Sequence, residues 1–194
     1  MTGLRFPIPR VEQLYFGSVP VPYTAAWSGE EEPGMIRLGQ CPYARRTAIC
    51  QHWARGEGKP RFGSPHMERQ RQVIALALCD LCGRPLKNRT KVSLSKARPQ
   101  PHGARPMDVL QVEPMLHKEC AAISMQHCPS LRADIRNGTL CVRQVFRHAC
   151  QFALYSEQGT FEATGERRVA VSHAKVQLIT WRDRDADWLE RDAA

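Results

Sequence analysis

The sequence has no apolar run of the roughly 18 residues that a membrane-spanning helix requires. Its longest such run, Val73 to Cys79, is far shorter. No apolar segment of a secretory signal is visible either, because prolines come early in MTGLRFPIPR. These absences lead us to expect a cytoplasmic protein with no membrane partner. Missing too are the phosphate-binding G-x4-G-K-[ST] and G-x-G-x2-G loops and the nucleophile elbow G-x-S-x-G. H-x-E occurs at His66 to Glu68 and at His117 to Glu119, but Leu78 stands before Cys79 where the P-C-x2-C of a zinc deaminase has proline. Internal repeats and low-complexity tracts are absent. Acidic residues are scarce in one place: between Arg37 and Met107 only Glu57, Glu68 and Asp80 stand against 15 Lys+Arg.

That scarcity gives the net charge its meaning. The 194 residues carry a formal +9, which divides into +12 on residues 37–107 and −3 on the remainder. Arginine outnumbers lysine 22 to 6, a ratio that codon usage in a GC-rich genome explains; the local loss of acids it does not. A hydrophobic content of 42% is enough to build a core in one or two domains.

The expected organisation is α+β in three parts. Residues 1–36 read as an irregular, proline-rich arm packed on the body, with Glu30 to Glu32 and Pro33-Gly34 as an exposed turn. Residues 37–138 form the basic part. Within it, Gly56 to Gly63 reads as an exposed loop, and Ser64-Pro65 as a helix start. The helix PHMERQRQVIALAL would bury Met67, Val73, Ile74, Ala77 and Leu78 and leave Arg69 and Arg71 on its polar face. Short strands are predicted at 91–95 and 109–112, and helices at 117–127 and 130–137. Residues 139–194 read as an antiparallel β region: strands from Leu140, a turn at SEQG, further strands at TFEAT and RVAVSHAKVQLITW, then an acidic tail with a short helix.

The strongest chemical signal is Cys79-Asp-Leu-Cys82-Gly83. Two thiols at this spacing, followed by glycine, let the chain fold around one ion with both sulfurs inward. The matching pair is His117-Lys-Glu-Cys120 at a helix start, where positions i and i+3 share a face. Cys79, Cys82, His117 and Cys120 make a Cys3His set suited to structural Zn2+. Cys128, two turns beyond Cys120, is an alternative fourth ligand. Cys41, Cys50, His52 and His66 fit no defensible metal spacing, and core packing is the better expectation for them.

These residues resemble the treble-clef zinc-finger class, over about residues 79–128. The resemblance implies a C-x2-C-G knuckle, a β-hairpin made here from 91–95 and 109–112, and two ligands in the first turn of a helix. CDLCGRPL with LHKECAAISMQHCPSLR is also similar to a pattern in uncharacterised bacteriophage and actinobacterial zinc-binding proteins, a resemblance that brings no activity with it.

The expected function is binding without catalysis. Arg69, Arg71, Arg84, Lys87, Arg89 and Lys91 would form one basic face, held rigid by zinc, for contact with nucleic acid backbone. Trp53 or Phe62 would be available for stacking. The alternative is an acidic protein partner, as for a phage-encoded inhibitory factor. A nuclease of the HNH type ranks behind both: no Asp-His pair is present, His117 is taken by the metal set, and His102 sits in a proline-rich loop.

Overall fold

The computed structural model describes residues 11–31, 36–87, 89–102 and 105–191. The first ten residues of the expected arm, the turn at Glu32 to Gly34, the side chain of His102 and the end of the acidic tail lie outside them. The first strands are β1 (Tyr15–Phe16), β2 (Val19–Pro20), β3 (Ala25–Trp27), β4 (Ile36–Cys41), β5 (Arg46–Gln51) and β6 (Pro60–Pro65), followed by helix α1 (Met67–Ala75). Next come β7 (Lys91–Ser95), β8 (Gln100–His102), β9 (Arg105–Gln111) and β10 (Leu116–His117), then α2 (Lys118–His127) and α3 (Pro129–Arg136). The chain continues with β11 (Cys141–Tyr155), α4 (Glu157–Thr164), β12 (Ala170–Arg184) and α5 (Asp187–Glu190).

One curled eight-stranded sheet dominates. Its backbone is the antiparallel pair β11–β12, two fifteen-residue strands whose register shifts at three points. Such irregularities raise the local twist of a long ribbon. β7 and then β10 extend the sheet beyond β11, while β9 and β5 share the outer edge of β12, with β4 beyond β5. The main core lies between this sheet and helices α1, α2 and α5. It joins Val73 and Ile74, Ala121 and Ala122, and Leu189 to Val92, Val142, Val145, Val176 and Leu178.

The expected fold class is therefore corrected. With 42% strand and 25% helix the chain is a sheet-dominated α/β protein, not a small treble-clef module with a separate β region. The predicted hairpin of 91–95 with 109–112 does not form. β7 pairs with β10 and β11, whereas β9 pairs with β8 and β12. Local spacing cannot show this, because both strands are claimed by partners far along the chain. Two other stretches of chain also differ. Residues 37–64, read as turns and loops, supply β4, β5 and β6, and TFEAT lies in α4, capped by Ser156 and ended by Gly165 at φ +79°.

Helix α1 departs most from its amphipathic pattern. Arg69, Gln70, Arg71 and Gln72 are all buried, and so are Val73 and Ile74. The polar residues answer a gap in the sheet. Among the described residues, the outer edge of β12 pairs with β5 only at Val171 and with β9 only at 176–178. Between those points Gln70 accepts from Ala174 N (2.9 Å) and donates to Ala174 O (2.8 Å) and Val112 O (2.9 Å). Arg71 donates to Ser172 O (2.5 Å) and Ile49 O (2.7 Å). Two side chains thus stand in for the missing strand partner, satisfying backbone groups that would otherwise be buried unpaired.

Arg69 is spent on a second buried task. Its guanidinium forks onto Glu30 at 2.5 and 2.7 Å and donates to Ala25 O (2.8 Å). The Glu30 carboxylate also accepts from Trp27 N (2.9 Å) and Ala54 N (3.0 Å), and both side chains are fully buried. Glu30, expected in an exposed turn, thus ties the 25–30 segment and residue 54 to α1. The helix cap is His66, not Ser64: Nδ1 accepts from Arg69 N (3.3 Å) and Nε2 lies 3.0 Å from His52 O.

His66 is buried 3.9 Å from Glu30 and edge-on to Trp53, and burial first, then the Arg69 charge, pushes its pKa down to about 4. An unfolded imidazole titrates near 6.5, so the unfolded chain takes up this proton first as pH falls. The stability from neutral His66 is complete above pH 6.5 and lost on the way to about 4, amounting to about 3 kcal/mol. Urea midpoints of the wild type should fall through this window, and His66→Gln should flatten that part of the slope.

Candidate metal centre

The left-handed turn of Ala77 (φ +51°) ends α1 early, with Leu78 N bonded to Val73 O (2.8 Å), and turns the chain into the knuckle. There Gly83 N donates to Cys79 O (2.9 Å) and Cys79 N to Arg84 O (2.8 Å), closing the loop around the two thiols. Gly83 is at φ +67°, and a Cβ there would stand 3.1 Å from both Tyr23 and Val11. Glycine is thus required by backbone conformation and by space. Asp80 N donates to Met115 O (2.9 Å), and Tyr23 N to Asp80 O (2.8 Å), so the knuckle is stitched to the approach to β10 and to the N-terminal segment. The Thr24 hydroxyl donates to the Asp80 carboxylate on the same side.

The second ligand pair is carried by β10 and α2. His117 ends β10, opposite Lys91 of β7, and is the N-cap of α2; Cys120 lies in the first turn. The ligand atoms of Cys79, Cys82, His117 and Cys120 all lie within 4.8 Å of one another. His117 Nδ1 is 3.5 Å from Cys82 Sγ and 3.7 Å from Cys120 Sγ. A tetrahedral ion with bonds of about 2.3 Å to sulfur and about 2.0 Å to nitrogen needs S···N edges of about 3.6 Å. The donor set therefore fits a metal ion in chemistry and in spacing. His117 Nε2 lies 3.0 Å from Pro85 O, an outer hydrogen bond that holds the ring with Nδ1 facing the thiols.

The four groups also shift one another's protonation. Burial pushes the Cys79 thiol far up, while hydrogen bonds from Cys120 and Cys79 hold Cys82 far below the thiol range. Hydrogen bonds to Cys120 and Cys82 raise His117 to about 10. Protons and a dication compete for this pocket, so metal binding releases protons. Cys128 lies outside the set, at the C-cap of α2. Among the described residues no second group of three or more potential ligands forms. Cys41 and Cys50 are free thiols, and His66 is occupied as the α1 cap.

The expected basic face is only partly present. Arg84, Lys87 and Arg89 are exposed beside the knuckle, and Lys91 is half-buried with Nζ donating to Phe146 O (3.2 Å). Arg69 and Arg71, at 0% and 1% exposure, take no part in any surface. Arg84 and Arg89 instead line a groove of about 460 Å³ that opens onto Cys82, His117 and Cys120. Tyr15, 61% exposed, stands in the same groove, a residue that sequence reasoning passed over because it lies more than sixty positions from the knuckle. Phe62 lines a different cleft with Asp80 and Glu113, and Trp53 packs against His66 and beneath Arg69. No helix is long and apolar enough to cross a membrane among the described residues. Comparison of the chain with protein-family models, with curated proteins and with solved structures finds no match in any of the three.

Proposed function

We propose that the chain is a zinc-stabilised protein that binds single-stranded nucleic acid along the groove over the metal centre. The observation that carries this reading is the pairing of exposed Arg84 and Arg89 with exposed Tyr15 in one groove. Cations that track a phosphate backbone, next to an aromatic face on which a base stacks, are the usual means of sequence-tolerant strand binding. The role of zinc is to hold the knuckle that presents Arg84, Lys87 and Arg89. Zinc suits the Cys3His donor set better than the harder divalent ions do.

Binding of a labelled oligonucleotide, followed by anisotropy across a salt series, tests the reading. Three phosphate contacts predict a log–log slope of about −2. Arg84→Ala and Arg89→Ala should each make the slope shallower by about 0.7, and Tyr15→Ala should cost about 1–3 kcal/mol. A flat salt response, or a stoichiometric protein partner that survives nuclease treatment, would overturn the proposal.

A further inference from the structure

A second concave site lies away from the metal. It is a pocket of about 480 Å³ lined by Gln40, Arg45, Arg46, Thr47, Leu154, Arg168, Val169 and Ala170. Arg45 lies in the turn between β4 and β5, Arg46 opens β5, and the segment after α4 supplies Arg168. Three exposed arginines line the pocket and no carboxylate does. Among the described residues their side chains make no ion pair or hydrogen bond, unlike Arg69, Arg71 and Arg143, which are all engaged. Like charges gathered in a concavity without counter-charge repel one another, and an anion relieves that repulsion.

Two further observations point to a ligand. Arg45 is held at φ +52°, in the left-handed region that non-glycine residues seldom occupy, although glycine at this place in the turn would carry no strain. Keeping arginine there favours its side chain over backbone comfort. Leu154 and Val169, 48% and 52% exposed, form an apolar wall beside the cations. We propose that this pocket binds a small phosphorylated ligand whose phosphate is gripped by Arg45, Arg46 and Arg168, and whose apolar part rests on Leu154 and Val169. The planar guanidinium fork matches phosphate oxygens in pairs.

Calorimetric titration of the full chain with phenyl phosphate at low salt tests the site. One saturable site per chain is expected, with inorganic phosphate binding more weakly. Arg168→Gln and Arg45→Gly should each weaken phenyl phosphate by about tenfold or more. Arg45→Gly should also keep or raise the melting temperature, because glycine accepts the positive φ, so its loss of binding cannot come from misfolding. Absence of saturable binding, or unchanged affinity in both variants, overturns the proposal. Equal affinity for phenyl phosphate and inorganic phosphate removes the apolar wall from it.

Discussion

Cys79→Ser should weaken binding of the proposed zinc ion and lower the melting temperature by roughly 10 °C. A structural zinc contributes on the order of 10–16 kcal/mol to folding in small metal modules. Losing one of four ligands forfeits roughly a quarter of that, and a chain of this size shifts by about 2–4 °C per kcal/mol. Cys79 is the most deeply buried of the three thiols and also accepts from His117 N (3.5 Å), so it joins the two halves of the site even without an ion. Cys128→Ser should change neither zinc content nor stability. Retention of one zinc by Cys79→Ser with an unchanged melting temperature would show that the four-residue set is wrongly assigned.

Glu30→Ala should cost about 3–5 kcal/mol, because it strands the buried Arg69 guanidinium without its counter-charge. The loss is cooperative: Glu30 also accepts from Trp27 N and Ala54 N, so three segments come apart together. Replacing both partners with apolar residues, Glu30→Leu with Arg69→Met, should recover most of the stability, since the penalty comes from an unpaired charge and not from a missing attraction. Urea denaturation of the two single variants and the double variant gives the coupling energy directly. A double variant no more stable than Glu30→Ala would mean that the backbone contacts of Glu30, not its charge, hold these segments.

The ligand set was legible because its chemistry is local. Cys79 with Cys82, and His117 with Cys120, each sit within one turn of chain, and helix α2 follows from its own pattern. The larger sheet was not legible, because its register depends on pairs such as Val171 with Ala48 that local periodicity does not encode. Helix α1 misled for a different reason. Arg69 and Arg71 read as part of a polar face, yet here they are buried, with Gln70 between them, by what they bond to: Glu30, Ser172 O, Ile49 O and Ala174. The same error enlarged the expected basic face by two residues. Tyr15 could not be placed at the metal groove from composition, since it comes from a two-residue strand paired only with Val19–Pro20.

The side-chain bridge from α1 to β12 also bears on how the chain is made. Gln70 and its partner Ala174 are 104 positions apart, and Arg71 and Ser172 are 101 apart. During synthesis at about 5–20 residues per second, helix α1 waits several seconds before those partners leave the ribosome. Until then Gln70 and Arg71 keep only Val112 O and Ile49 O as partners, and nascent chains that end before residue 170 should remain open to protease. The chain up to residue 170 should therefore not behave as an independent folding unit during growth, its stable structure forming only once the last long strand has emerged.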